Sequence, residues 1–229
     1  MRDHGGFDTS FRIAQAVKQV DPTIVVGGEV NAWEGNARLG HSAYLVAEAD
    51  ESDGSLVKFA AKIGIVTNIE LDHPDHYADL EAVVSTFETF TDRCQAWVGN
   101  ADCQVVRERL KPKISYSLRS DAQADYWVDR VTYSANGTQA RVWERGKVLG
   151  EVHLGVLGEH NLSNALAAIA VARVLDVGFE PIALALRKFE GARRRFEQRG
   201  FANGILFVDD YAHHPSEIQA TLSAARLRV

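Results

Sequence analysis

Cysteine is scarce: Cys94 and Cys103 are the only two among 229 residues, and they are not spaced as Cys-x-x-Cys. A disulfide framework is excluded, and a reducing, cytoplasmic setting is expected. Positive charge is also short, with 25 Lys and Arg against 31 Asp and Glu and a formal charge of −6. That balance argues against nucleic acid or a membrane surface as the main partner. No apolar run approaches the roughly 18 residues of a membrane span, and the opening MRDHGGFD lacks the apolar centre of a signal peptide. Internal repeats and low-complexity segments are missing too. What remains is a chain long enough to bury a sizeable core.

The pattern that is present alternates helix and strand. Residues 9–20 have helical character, 23–26 read as a strand, and Gly27-Gly28 turns the chain. The apolar runs 44–47 and 63–67 read as short buried strands covered on both faces. Leu80, Val83, Val84, Phe87 and Phe90 recur on one helical face, and 96–98 and 114–116 are further strands. Between roughly 125 and 156 the period changes. Asn136-Gly137 and Arg145-Gly146-Lys147 punctuate runs rich in Val, Tyr and Trp, the signature of an antiparallel meander. Trp127, Tyr133 and Trp143 are expected in its core rather than as a base-stacking platform. The expected fold class is α/β: a mostly parallel sheet flanked by helices, with a small antiparallel meander.

Four constellations carry candidate chemistry, and the first and the last follow apolar runs, outside whose carboxyl ends such a sheet would place a ligand. After the first apolar run come Glu48, Asp50, Glu51 and Asp53; after the second, Asn68, Asp72 and His73. Part of the first group is also what a solvated loop with capping carboxylates looks like. Asp72-His73-Pro74-Asp75-His76 suggests a metallohydrolase, but no His-x-His pair precedes it, so oxygen donors with His73 for a hard cation are expected rather than a zinc cage. Gly158-Glu159-His160-Asn161-Leu162-Ser163-Asn164 opens a helix with Asn161 and Asn164 three apart on one face. Arg193, Arg194 and Arg195 stand between Phe189 and Phe196, and arginine suits bidentate phosphate contact. Lastly, Asp209, Asp210, Tyr211, His213 and His214 follow the run 205–207 and precede Pro215 at a helix start.

Taken in order, GGEVNAWEGNARLG, EADESDGS, VTNIELDHPDHY, GEHNLSNALAAIAVA, FEGARRRFE and VDDYAHHPSEIQATLSAAR resemble the Mur ligase family. Six ordered blocks spanning nearly the whole chain make the match specific. The resemblance implies a P-loop-like central ATP-binding domain over residues 1–203 and the start of the C-terminal domain over 204–229, without the N-terminal domain that holds the UDP-sugar. It implies ATP and Mg²⁺ as cofactors and UDP-N-acetylmuramate and L-alanine as partners. The γ-phosphate would pass to the lactyl carboxylate, and the amine would then displace phosphate from the acyl phosphate. By the same resemblance Glu48 and His73 are metal ligands, Asn161 and Asn164 contact the nucleotide, Arg195 contacts phosphate, Asp210 holds the nucleotide from the C-terminal side, and His213 lies toward the sugar or the reacting carboxylate. Asp50, Asp72 and His160 are second choices. Two alternatives stay open: a related ligase that attaches a recovered tripeptide to the same UDP-sugar, and a non-catalytic binding module of the same fold.

One stretch departs from the family. Its phosphate-binding loop reads Gly-Thr-His-Gly-Lys-Thr-Thr, where backbone N–H groups, a lysine and a hydroxyl grip phosphates and Mg²⁺. Here His4-Gly5 aligns, but Gly6 replaces the lysine, Phe7 replaces the hydroxyl, and Asp8 brings negative charge to a phosphate position. Gly5 and Gly6 remain candidate nucleotide-binding residues through their backbone. Loss of a cation facing transferring phosphate costs on the order of 10³-fold in rate, by analogy with arginine fingers. Weak nucleotide binding and no turnover by this chain alone are the expectation.

Overall fold

The computed structural model describes residues 4–30 and 35–228. Its largest element is a six-stranded sheet in the order β4-β5-β6-β7-β8-β9. β4 (Ile63–Val66), β5 (Ala96–Asn100), β6 (Ile114–Ser117) and β7 (Tyr126–Ser134) run parallel. β8 (Gly137–Glu144) and β9 (Lys147–Leu154) continue it as the expected antiparallel meander. The β8–β9 turn places Arg145 and Gly146 at φ 47° and 78°, the paired left-handed residues that a type I′ hairpin requires.

α3 (Glu159–Val174) crosses one face of this sheet. Its alanines 165, 167, 168, 170 and 172 are fully buried, because small side chains let the helix sit close on β5, β6 and β7. α1 (His4–Ala16) and α4 (Phe179–Arg187) pack against α3 in turn. Val98, Tyr116, Val142 and Val152 meet Leu162, Leu166 and Ile169 in the main core. α2 (Leu80–Arg93) covers the opposite face of β4 and β5, where Val83, Val84 and Phe90 enclose Val66 and Trp97. Its N-cap carboxylate, Asp79, accepts from Ala82 N at 2.9 Å. β5 is thus buried on both faces, with Trp97 in one core and Val98 in the other.

A second sheet has three strands in the order β2-β1-β3. β1 (Thr23–Val30) pairs antiparallel with β2 (Gly35–Arg38) and parallel with β3 (Leu45–Ala47). The run 44–47 is therefore not a buried central strand: β3 is a three-residue edge strand with Leu45 exposed. The chain ends in a hairpin, β10 (Glu197–Ala202) and β11 (Ile205–Asp209), followed by α5 (Pro215–Ala225).

The meander tryptophans correct the core expectation. Side chains alternate across a strand, and Tyr126, Val128, Ala140 and Val142 take the inward positions. Trp127 and Trp143 consequently face outward, half-buried and stacked with centroids 4.6 Å apart and planes 7° from parallel. The Arg141 guanidinium lies 5.0 Å from the Trp143 centroid and also pairs with Asp129. Tyr133 is half-buried against the edge of the main core.

Candidate functional site

The β1 and β3 exits and the arginine segment enclose a cavity of about 480 Å³. Val25, Val26, Gly27, Gly28, Glu48 and Asp50 form one wall, and Arg193, Arg194, Arg195, Glu197, Arg199 and Tyr211 form the other. The Glu48 carboxylate accepts from Gly27 N. A Cβ on Gly27 would lie 2.7 Å from Glu48 Oε2, so any larger residue there would push this carboxylate aside.

The arginine segment is tightly folded. Gly191, Arg194 and Phe196 take φ of 91°, 57° and 50°. The Asp210 carboxylate clamps it, accepting from Phe196 N and Ala212 N, each at 2.8 Å, while Tyr211 N donates to Arg194 O at 2.8 Å. Arg194 stacks on the Tyr211 ring at 4.6 Å, and Arg199 pairs with Glu197 and Asp209. Four guanidinium groups stand on one wall of this cavity, in a chain whose net charge is negative. Planar guanidinium forks suit an oxyanion such as phosphate.

Beside it, Asp50, Glu51 and His73 bring one ligand atom each within 4.8 Å of one another. Glu51 is buried, and burial raises its carboxyl pKa above the ordinary value. His73 Nε2 lies 3.9 Å from both Glu51 Oε1 and Asp72 Oδ2, and His73 itself holds φ 53°, a strained conformation of the kind that clusters at functional sites. Burial pushes the Asp72 carboxyl up, but the hydrogen bond from His73 N and the charges of His73 and His214 more than offset it and leave the pKa lowered. Two carboxylates and one imidazole suit a hard divalent cation better than a zinc cage. Part of the loop is held by its own carboxylates, Asp50 accepting from Ser52 N and Asp53 from Ser55 N, but neither caps the following short helix, whose N-cap is Gly54.

A smaller cavity of about 240 Å³ adjoins the first, and Arg195 lines both. Leu157, His160 and Asn161 form one side, and Gly191, Phe196, Asp210 and Thr221 the other. Asn161 Nδ2 donates to Leu157 O at 2.6 Å and lies 3.0 Å from His160 Nε2. Burial drives the His160 pKa down to about 4, the nearby Arg12 cation adds to the effect, and Asp210 opposes it. The imidazole is neutral at neutral pH.

Glu48 and Arg195 thus face one cavity, and Asn161, Arg195 and Asp210 face the other. Asn164 is buried within α3 and lines neither. His213 is half exposed outside both, its Nδ1 3.1 Å from Tyr211 O. Gly5 and Gly6 fall in the first turn of α1, where the description before Thr9 covers the backbone alone. Three contacts were not foreseen from the sequence. Arg12 donates to Asn161 Oδ1, and the only hint is one cation amid the otherwise uncharged run TSFRIAQAV. Glu217 is buried and its carboxylate accepts from His213 N and His214 N, fastening the start of α5. Ser216 Oγ donates to Glu70 Oε2 at 3.0 Å and meets His214 Nδ1 at 2.7 Å, linking the loop after β4 to α5.

The fold, the arginine wall and the ordered sequence blocks define the class: this chain belongs to the Mur ligase family, matching the Mur ligase middle domain over residues 31–172 and the Mur ligase, glutamate ligase domain over 194–228. Among curated relatives, UDP-N-acetylmuramate--L-alanine ligase of Nostoc punctiforme is 63% identical over 227 residues, covering 98% of this chain and 47% of that protein. The corresponding ligase of Synechococcus elongatus is also 63% identical, over 99% of this chain and 48% of its own length. The chain therefore spans about half the length of the curated relatives it matches. A crystal structure of UDP-N-acetylmuramate-alanine ligase from Thermotoga maritima superposes with a TM-score of 0.87 at 29% identity, covering 99% of this chain and 53% of that one.

Proposed function

We propose that this chain forms the nucleotide-binding part of an ATP-dependent ligase that joins L-alanine to the lactyl carboxylate of UDP-N-acetylmuramate. The observation that carries the reading is the 480 Å³ cavity, where four arginines face Glu48 and Asp50 beside the Asp50, Glu51 and His73 cluster. The residues fit the groups the family uses: guanidinium forks for phosphate oxygens, and hard oxygen donors with one imidazole for Mg²⁺. Asp50, Glu51 and His73 would hold the metal, with Glu48 on the same cavity wall as Asp50, and the metal when bound neutralises and orients phosphate oxygens. Arg195, lining both cavities, would contact phosphate, while Asp210 fixes the arginine segment by its two backbone hydrogen bonds. The neutral His160 and Asn161 would face the base, with Asn164 behind them.

Identity of 63% to curated L-alanine ligases supports L-alanine as the amine. The test is a chimera in which residues 1–229 replace the matching stretch of the Nostoc ligase. L-alanine-dependent phosphate release from ATP is expected, and release with a tripeptide but not with L-alanine would overturn the choice of amine. A second reading, a binding module without turnover, is favoured by Gly6-Phe7-Asp8 in the phosphate-loop position. If the chimera is silent and the Gly6→Lys, Phe7→Thr chimera is active, that second reading holds for the chain as it stands.

A further inference from the structure

Arg12 sits in the middle of α1 with no exposed surface, among the buried Thr9, Ile13, Ala14, Ala16 and Val17. A cation taken out of water is destabilising unless its surroundings compensate it. The guanidinium carbon stands 3.9 Å from the Phe189 ring centroid, a cation–π geometry, and Nη2 donates to Oδ1 of Asn161, 149 positions along the chain. Arg12 does not line the smaller cavity, whereas Asn161 and His160 do.

This contact fixes which way the Asn161 amide points. Nδ2 donates to Leu157 O at 2.6 Å and its other proton is directed to His160 Nε2 at 3.0 Å. Turning the amide over would set oxygen against the Leu157 carbonyl and NH₂ against the guanidinium, so both ends forbid the flip. With both protons used, Asn161 has nothing left to donate, while Oδ1 has two lone pairs and Arg12 occupies one. Donation to His160 Nε2 also requires the neutral ring with its proton on Nδ1, and a burial-depressed imidazole beside the Arg12 charge meets that requirement.

We propose that Arg12 is a positioning residue for the smaller cavity: it locks the Asn161 amide as an acceptor, so that the cavity prefers a nucleobase with an exocyclic amino group over one with an oxo group there. The base preference rests on the nucleotide-binding reading; the lock does not.

The experiment compares the 229-residue chain with Arg12→Met, which keeps the bulk, and Arg12→Lys, which keeps the charge without the fork. Binding of ATP and of inosine triphosphate is measured with Mg²⁺, alongside NMR of the Asn161 side-chain protons and the His160 ring. One well-placed hydrogen bond against an unpaired buried acceptor predicts on the order of tenfold preference for ATP. In Arg12→Met the preference should fall to about twofold, the Asn161 protons should exchange roughly tenfold faster, and His160 should titrate at higher pH. Arg12→Lys should restore the low His160 titration but not the protection. Unchanged exchange and unchanged selectivity in both variants would overturn the proposal. If neither triphosphate binds the parent chain, the nucleotide reading and the base preference fall together, and the NMR measurements decide the lock by themselves. Should Arg12→Met fail to fold, Arg12→Lys decides it by proton exchange.

Discussion

The six-stranded sheet with α3 and the terminal hairpin with α5 are built on opposite terms. In the first, Val98, Tyr116, Ala165 and Leu166 have no exposed surface, and inward positions on β7, β8 and β9 share one core with α3 and α4. In the second, Phe201, Ile205, Phe207 and Leu222 are each more than half exposed. The smaller cavity lies where these regions meet, and the larger one between the three-stranded sheet and the arginine segment. A self-sufficient core supplies Asn161 and His160, while the segment entering the hairpin supplies the arginines, held by hydrogen bonds and ion pairs rather than by burial. Changes in the core should therefore unfold the molecule, whereas changes at the hairpin side should loosen the site with little effect on global stability.

The largest expected effect is on the core side. Leu166→Ala removes buried methyl groups from a close-packed helix face and should cost about 2–5 kcal/mol in urea unfolding; a loss below about 1 kcal/mol would mean that α3 is less tightly enclosed than its burial indicates. Next comes pH. The folded pKa of His160 is depressed to about 4 from 6.5, so between those values the unfolded chain binds the extra proton, and stability rises with pH. This group's contribution is complete above pH 6.5 and is lost as pH falls toward 4, on the order of 3 kcal/mol. His160→Gln should flatten that part of the stability profile, and an unaltered slope would show that the ring is not desolvated. The smallest effect belongs to the hairpin side. Ser216→Ala removes one of two contacts from the start of α5 to Glu70, leaving His214 Nδ1 3.3 Å from it, and should cost about 1 kcal/mol or less globally, seen instead as faster amide exchange at the start of α5 with α3 unchanged. Equal acceleration in α3 would erase the distinction between the two regions.

Much of this was legible in the residues. The spacing of Leu80, Val83, Val84, Phe87 and Phe90 marks α2, and the change of period after 125 marks the meander, because both elements bury one face against a core. α4 and β10 were not evident. β10, EQRGFA, has no buried residue, so no burial period is written into it. The tryptophans misled because their bulk suits a core, whereas strand alternation decides which side they take. For the site, carboxylates and histidine at strand ends were visible as candidates, and their convergence was expected on the premise that both strands belong to one sheet. β3 and β4 belong to separate hydrogen-bonded sheets, and only tertiary packing sets Glu51 beside His73. Arg12 shows the limit most clearly, since its partner lies 149 residues away and no local pattern encodes a helix-to-helix contact.

Calorimetric titration of residues 1–229 with ATP and Mg²⁺ asks most directly whether the arginine wall and the acidic loop form one nucleotide site. With Gly6→Lys and Phe7→Thr restoring the loop, dissociation in the micromolar range, weakened at least tenfold by either Glu48→Ala or Arg195→Ala, is the predicted result. Affinity no better than millimolar, or tighter binding indifferent to both substitutions, would contradict it.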